Sequence, residues 1–158
     1  MNRRLVAVLV AALAVFTLAP MASAQGTATL SDIRTGQHNG FSRVVLDLSG
    51  LPSEHRVSEV TSIAHCASGN PITVAGGQVN EILAVTVIGA AAHDDNGNLT
   101  YTGSRNFATP GLSNIRGVAL TCDFEATLGI AVGYSNTASW HRVFTLTSPN
   151  RLVIDVGL

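Results

Sequence analysis

Four arginines stand on or beside segments that have the pattern of β-strands, and they carry the clearest binding chemistry in the sequence. They are Arg34, Arg43, Arg142 and Arg151, and Trp140 lies close to the third of them. A guanidinium group can form two parallel hydrogen bonds with a carboxylate, and an indole offers a flat apolar plate. These five are the candidate ligand-binding residues, although a lone tryptophan more often fills a gap in the core or at a sheet edge.

Motifs for catalysis or metal binding are absent from the sequence. The segment from Gly133 to Asn136 approaches the G-x-S-x-G turn of serine hydrolases but lacks its second glycine. The five histidines, at positions 38, 55, 65, 93 and 141, are scattered rather than spaced as zinc ligands. An acidic segment after His93 lacks the Gly and Glu of a calcium loop and is interpreted as an exposed turn. The sequence therefore predicts no enzyme, no catalytic residue, no metal and no cofactor.

The first 24 residues have the pattern of a secretory signal peptide. Two arginines precede an apolar run from Leu5 to Val15, and Ala22-Ser23-Ala24 matches the site that signal peptidase reads. An uncleaved anchor is the alternative, but the run is short for a spanning helix of about 20 residues, and Gln25 stands where a lipid-accepting cysteine would be needed. We expect an exported protein with no stable membrane insertion after cleavage and one domain over residues 25–158.

Charge and cysteine content narrow the possible partners and the compartment. Without the signal, seven arginines face ten acidic residues, a net charge of −3 with histidine neutral. A nucleic-acid partner is unexpected, because phosphate binding needs a basic surface. Cys66 and Cys122 would both be exported, and an isolated pair in an oxidising compartment is most simply a disulfide. A metal site formed by Cys66 with His65 is the alternative, and it lacks the usual ligand spacing.

Strand patterns dominate residues 25–158. β-Branched residues and glycine are abundant, and no long apolar period of 3.6 residues is present. Turn residues such as Asn39-Gly40 and Pro149-Asn150 separate the segments. The sequence predicts an all-β fold with strands at residues 27–35, 41–49, 55–63, 81–89, 115–122, 126–134, 141–147 and 151–157.

The segment from Val118 to Tyr134 has one apolar face throughout, because its even positions are apolar and its odd positions are only Ala, Thr, Asp, Glu and Gly. A two-residue hairpin would exchange the parity of its two arms, and no Pro, Gly or Asn marks a turn between Asp123 and Thr127. A turn with an odd number of residues is one solution. We favour the other, a single bent strand that serves two packed sheets.

A short motif occurs twice, as RVVLDL at residues 43–48 and as RLVIDV at residues 151–156. In an extended strand the Arg, the central Val and the Asp of each copy share one face, while the other aliphatic residues share the opposite face. The Arg and Asp of one copy lie about 13 Å apart, so each needs a partner on another strand or in water. A charged outer face over an apolar inner face is the structural interpretation of this pattern.

Several of these segments resemble a known family. The residues RTGQHNGFSRVVLD at 34–47, DFE at 123–125, RV at 142–143 and PNRLVID at 149–155 resemble the AMIN-like domain of secreted bacterial proteins and lipoproteins. That family is related to the AMIN domain, which accompanies N-acetylmuramoyl-L-alanine amidases and pilus-assembly secretins. The resemblance covers residues 29–157 and implies a two-sheet β-sandwich of about eight strands with approximate internal symmetry, a location in the cell envelope, and targeting to peptidoglycan.

The functional expectation is a secreted, non-catalytic module of the cell envelope that binds cell-wall glycan or peptide. This expectation follows from the resemblance, and the arginines with Trp140 would supply the contacts. The alternative is a structural or interaction module that recognises another exported protein through an exposed edge strand.

Overall fold

A computed structural model describes residues 26–135 and 138–157, and the predicted signal peptide lies outside the described residues. The described part contains strands and no helix. The strands are β1 (Ala28–His38), β2 (Phe41–Leu48), β3 (Glu54–Val60), β4 (Ile63–Ala64), β5 (Pro71–Ile72), β6 (Glu81–Ile88), β7 (Ala90–Ala91), β8 (Asn106–Ala108), β9 (Ile115–Phe124), β10 (Thr127–Tyr134), β11 (His141–Leu146) and β12 (Arg151–Gly157).

Two five-stranded sheets form the domain. Sheet 1 has the order β11-β12-β2-β1-β7, and sheet 2 has the order β3-β6-β10-β9-β8. Neighbouring strands are antiparallel except for the short parallel pair of β1 and β7. The all-β sandwich is confirmed, and each of the eight predicted segments overlaps one of the eight longest strands, three of which extend one to three residues beyond the predicted bounds. The short strands β4, β5, β7 and β8 were not predicted.

The core lies between the two sheets and follows from the alternation along the strands. In β2 and β12 the aliphatic residues at the positions that alternate with Arg and Asp point inward. Six of them are at most 6 % exposed: Val44, Leu46, Leu48, Leu152, Ile154 and Val156. Sheet 2 meets them with the inward residues of β6, β9 and β10, among them Leu83, Val85, Leu128 and Ile130. Each such side chain stabilises the fold by about 1.5–3 kcal/mol relative to exposure, so the register of every strand is strongly specified.

The prediction of one bent strand over residues 118–134 is wrong. β9 and β10 pair with each other as a hairpin, and its two turn residues, Glu125 and Ala126, have φ angles of 47° and 54°. The parity exchange that argued against a hairpin is reversed by a bulge, because the partner of β10 jumps from Cys122 to Leu120 and leaves Thr121 unpaired. Val118 and Leu120 of β9 therefore face the same core as the even positions of β10, whereas Cys122 and Phe124, on the turn side of the bulge, do not.

The segment between β3 and β6, residues 61–80, crosses the outer face of sheet 2, and we call it the strap. Its Val74 packs in a second apolar cluster with Ile82, Ala119 and Ala131 of sheet 2. A side chain at Gly117 would collide with the backbone of the strap at Ala75, so the close approach requires glycine there.

The strap is fixed to sheet 2 at both ends of this contact. Cys66 and Cys122 form a disulfide with an S–S distance of 2.06 Å, and Cys66 N also donates to Thr121 O at 3.1 Å. Farther along, the Asn106 side chain accepts from Ala75 N and donates to Thr73 O, both at 2.8 Å. The outer face of sheet 2 is therefore covered over this part of the domain.

Candidate functional site

The repeated motif occupies two neighbouring antiparallel strands, β2 and β12, in the middle of sheet 1. Their register places Arg43 opposite Asp155 and Arg151 opposite Asp47, with Val45 opposite Val153 between them. Each motif therefore brings its arginine to the aspartate of the other copy. For Arg43 and Asp155, this antiparallel pairing supplies the cross-strand partner that the spacing demands.

Asp155 is the centre of the first charged group. Its side chain is 0 % exposed and receives Arg43 Nε at 2.6 Å and Arg43 Nη2 at 2.9 Å. Arg142, on the neighbouring strand β11, adds Nε at 2.9 Å and Nη2 at 2.8 Å. A buried carboxylate is thus held by two guanidinium groups from the strands on either side of it.

The protonation of Asp155 shows which effect dominates in this group. Burial by itself raises the pKa of the carboxyl, because a charge is costly away from water. The hydrogen bonds from Arg43 and Arg142 outweigh burial, so the pKa of Asp155 lies below its ordinary value. The pKa of Arg43 is raised in turn, and the hydrogen bond to Asp155 is the largest cause of that rise. The Asp155 carboxylate is therefore ionised near neutral pH.

Asp47 is the centre of a second, more exposed group. Arg34 of β1 donates to it through Nε at 2.5 Å and Nη2 at 2.7 Å. The hydrogen bond from Arg34 lowers the pKa of Asp47 despite the opposing effect of burial. Arg151, which faces Asp47 in the register, donates Nε to Pro149 O at 3.1 Å. Asp47 is therefore hydrogen-bonded by Arg34 of β1 rather than by Arg151, the arginine that faces it in the register.

Aromatic rings line the same face and lie against the guanidinium groups. The centre of the Arg43 guanidinium lies 5.2 Å from the Phe41 ring centroid, and that of Arg142 lies 4.9 Å from Phe144. His38 stacks on Phe41 at 4.7 Å with an interplanar angle of 8°. Cation–π contacts of this kind add to the ion pairs and hold the guanidinium planes in place.

The apolar character of Phe41, Phe124 and Phe144 predicts core positions for all three, and the structure shows that this prediction is wrong. Phe41 and Phe144 lie on the outer face of sheet 1 and are only partly buried. Phe124, at the end of β9, is 56 % exposed. The core is built of aliphatic residues with Tyr101 and Tyr134 instead.

Trp140 lies at the border of the charged face, just before β11, and is 42 % exposed. Its indole lies directly on the backbone of Gly157, where a β-carbon would overlap Nε1. Its carbonyl accepts from Gly157 N at 2.8 Å, and the Arg142 guanidinium lies 5.9 Å from its ring. The glycine therefore lets the indole lie flat against sheet 1 while one part stays open to solvent.

A buried polar network fixes the end of sheet 1 beneath these rings. Asn114 is 0 % exposed and donates to Val156 O and Gly157 O, both at 2.8 Å. Its side-chain oxygen accepts from the Ser42 hydroxyl, which also lies 2.9 Å from the Gln37 side-chain oxygen. Because Asn114 immediately precedes β9 of sheet 2, the network ties the two sheets together near Trp140.

The structure thus brings four of the five candidate residues, Arg34, Arg43, Arg142 and Arg151, onto one face, with Trp140 at its border. Sequence reasoning placed the two aspartates on this charged outer face together with the arginines, but it assigned no role there to Phe41 and Phe144. The signal for them was available, because each shares the strand parity of an arginine. We use the name arginine face for the following residues together, with Trp140 at their border: Arg34, Arg43, Arg142, Arg151, Phe41, Phe144, Asp47 and Asp155.

In the part of the chain that the structure describes, no group of three or more His, Cys, Asp or Glu side chains could hold a metal ion. Within residues 26–135 and 138–157, no helix is long and apolar enough to cross a membrane.

These features define a class of protein, a small all-β sandwich with one strapped face and one open, ion-paired face. The AMIN-like domain model matches residues 28–157, and the chain belongs to that family. Its members are typically extracellular or associated with the cell envelope and are generally non-catalytic binding modules. The disulfide fits an oxidising compartment. Searches of curated proteins and of solved structures gave no match.

Proposed function

We propose that this protein is a non-catalytic cell-envelope module that associates with peptidoglycan through the arginine face. The observation that carries the proposal is the exposure of this ordered surface. The side chains of Arg34 and Arg142 are 54 % and 57 % exposed although each is held by a carboxylate, and Trp140 is 42 % exposed beside them. The surface is therefore accessible and held in place by its own contacts.

The chemistry of this face suits a wall polymer. Exposed guanidinium groups can donate to the carboxylates of wall peptides, and aromatic rings can lie against the apolar faces of sugars. Because the ion pairs and cation–π contacts already fix these side chains, little rotamer freedom remains to be lost on binding.

Co-sedimentation with purified insoluble sacculi across a salt series tests the proposal. We expect retention at low salt that weakens as salt rises, because exposed charges are screened. Arg34→Ala and Arg151→Ala should reduce retention severalfold. Arg56→Ala is the matched control, because Arg56 is also exposed and also held by a carboxylate, Glu54, but lies on sheet 2. Failure of the unaltered protein to sediment with sacculi at low salt overturns the proposal.

Recognition of another exported protein is the second candidate function, and the edge strand β3 favours it. Within the described residues β3 pairs with β6 alone, and five of the seven residues of β3 are exposed. An added strand could continue sheet 2 at this edge. Changing Val57 to Pro in the middle of β3 should abolish binding to such a partner while retention on sacculi stays unchanged. Loss of retention on sacculi in this variant would instead assign wall binding to the edge.

A further inference from the structure

A cleft of about 360 Å³ opens between the two sheets, around the border from the arginine face. Its walls come from β3, β6 and β10 of sheet 2 and from the start of β11 in sheet 1. Its volume lies within the range of small-molecule sites, which begins at about 300 Å³. The side chains that could contact a ligand there are Glu59, Glu81, Tyr134, Trp140 and His141.

The floor of the cleft is a neutral phenol between two carboxylates. Tyr134, only 3 % exposed, has its hydroxyl 2.9 Å from Glu81 Oε2 and 3.2 Å from Glu59 Oε1. One phenol proton can serve only one of these oxygens at a time. Burial, followed by the Glu81 hydrogen bond, raises the pKa of Tyr134, so the hydroxyl stays protonated. The cleft therefore presents negative charge that Tyr134 does not neutralise.

An aromatic wall stands beside this charge. The partly exposed Trp140 lines the cleft, and the next residue, His141, has Nδ1 3.2 Å from Glu59 Oε1. That contact joins β11, at the edge of sheet 1, to β3, at the edge of sheet 2. The cleft is therefore bounded on both sides by strands. An indole next to carboxylates is a combination that attracts organic cations through the ring face and the ion pair together.

We infer that this cleft binds a primary ammonium group carried on a short aliphatic stem, with the stem against Trp140 and the ammonium between Glu59 and Glu81. An ammonium has three donors, which can serve both carboxylates and the Tyr134 oxygen at once. The stem is apolar and matches the indole. The inference does not depend on wall binding, because the arginine face and the cleft share only Trp140.

The single tryptophan of the chain makes the test direct. The purified protein is titrated with Nα-acetyl-lysine methylamide while the fluorescence of Trp140 is followed. We expect a saturable change with this probe and none with the same compound acetylated on its ε-nitrogen, which has lost the charge. An equal response to both probes, or a response to neither, overturns the inference.

Matched variants locate the binding. Glu81→Gln and Glu59→Gln keep the shape of the side chain. Each should raise the dissociation constant about tenfold, because one charge-assisted hydrogen bond is lost. Glu125→Gln is the control, since Glu125 is exposed in the β9–β10 turn, at the opposite end of β10 from Tyr134. Arg34→Ala should also leave probe binding unchanged, which separates this site from the arginine face. Unchanged affinity in both Glu59→Gln and Glu81→Gln contradicts the assignment.

Discussion

The outer faces of the two sheets differ in whether another part of the chain covers them. On sheet 2 the outward positions of β9 and β10 are small, among them Gly117, Ala119, Ala131 and Gly133, and the strap lies directly on them. On sheet 1 the outward positions of β2, β11 and β12 carry arginine, aspartate and aromatic side chains, and this face is open. The chain itself covers the outer face of sheet 2, whereas in the described residues no comparable segment covers the outer face of sheet 1.

Side-chain size and charge account for this difference. Small residues let a second layer of backbone approach within van der Waals contact, and each apolar group covered by it is removed from water. An apolar layer over a row of guanidinium groups would be unfavourable, because the charges would lose their contact with water. The residues at the outward positions therefore distinguish a covered face on sheet 2 from an exposed, charged face on sheet 1.

The disulfide should have the largest effect on the comparison. Cys66 and Cys122 are 56 positions apart, and closing a loop of this size stabilises a fold by about 4 kcal/mol on the chain-entropy model. We expect the Cys66→Ser/Cys122→Ser variant to lose about that much in urea unfolding while the arginine face keeps its structure. A loss below about 1 kcal/mol would show that the apolar contacts alone hold the strap.

The two carboxylates of the arginine face should differ in their contribution to stability. Asp155→Asn removes a buried charge that two arginines surround, and we expect the free energy of unfolding to fall by about 3 kcal/mol. Asp47→Asn breaks a pair whose arginine is more than half exposed, and we expect about 1 kcal/mol or less. Urea titration of both variants measures the difference, and equal losses would contradict it.

Two glycines provide a smaller and matched test of the two faces. A β-carbon on Gly117 would collide with backbone oxygens of Ala75 and Phe107, so Gly117→Ala should cost about 2 kcal/mol. On the arginine face, a β-carbon on Gly36 would find its nearest atom, His38 Nε2, at 3.8 Å. Gly36→Ala should therefore be neutral or slightly stabilising. Thermal unfolding compares the two, and a larger loss at Gly36 would reverse the assignment of faces.

Acid should produce the smallest effect. The pKa of Asp155 is lower in the folded protein than the value of about 3.9 for an unfolded chain. Such a carboxylate contributes stability above the unfolded pKa, and the contribution is lost as pH falls below it and through the folded pKa. The unaltered protein should therefore lose more stability than Asp155→Asn between about pH 4 and pH 2, as urea midpoints will show. Parallel losses would mean that other carboxylates dominate.

The strands and the core could be predicted because alternation determines both. Arg43, Val45 and Asp47 on one parity, with aliphatic residues on the other, define both the strand and its inner face. The same parity assigns Phe41 to the outer face, and its apolar character alone gave the wrong answer. Hydrophobicity without position was the weaker guide.

The hairpin and the strap could not be predicted, for different reasons. The β9–β10 turn uses Glu125 and Ala126 at positive φ, without the Gly or Asn that normally marks such a turn. The strap has only two-residue strands and hence no period to detect. Its one signal was the run of small residues at odd positions of β9 and β10, which indicates that another part of the backbone comes close.

The pairing of β2 with β12 has a consequence for the order of folding. Arg43 and Asp155 are 112 residues apart, whereas β9 and β10 are joined by a two-residue turn. Contacts between distant segments form late, because a long loop must close before they stabilise the chain. We expect the local hairpin to assemble early and the central pair of sheet 1 to assemble last. A nascent or truncated chain lacking β12 would therefore lack Asp155, and the arginine face would assemble only after the whole domain has been synthesised.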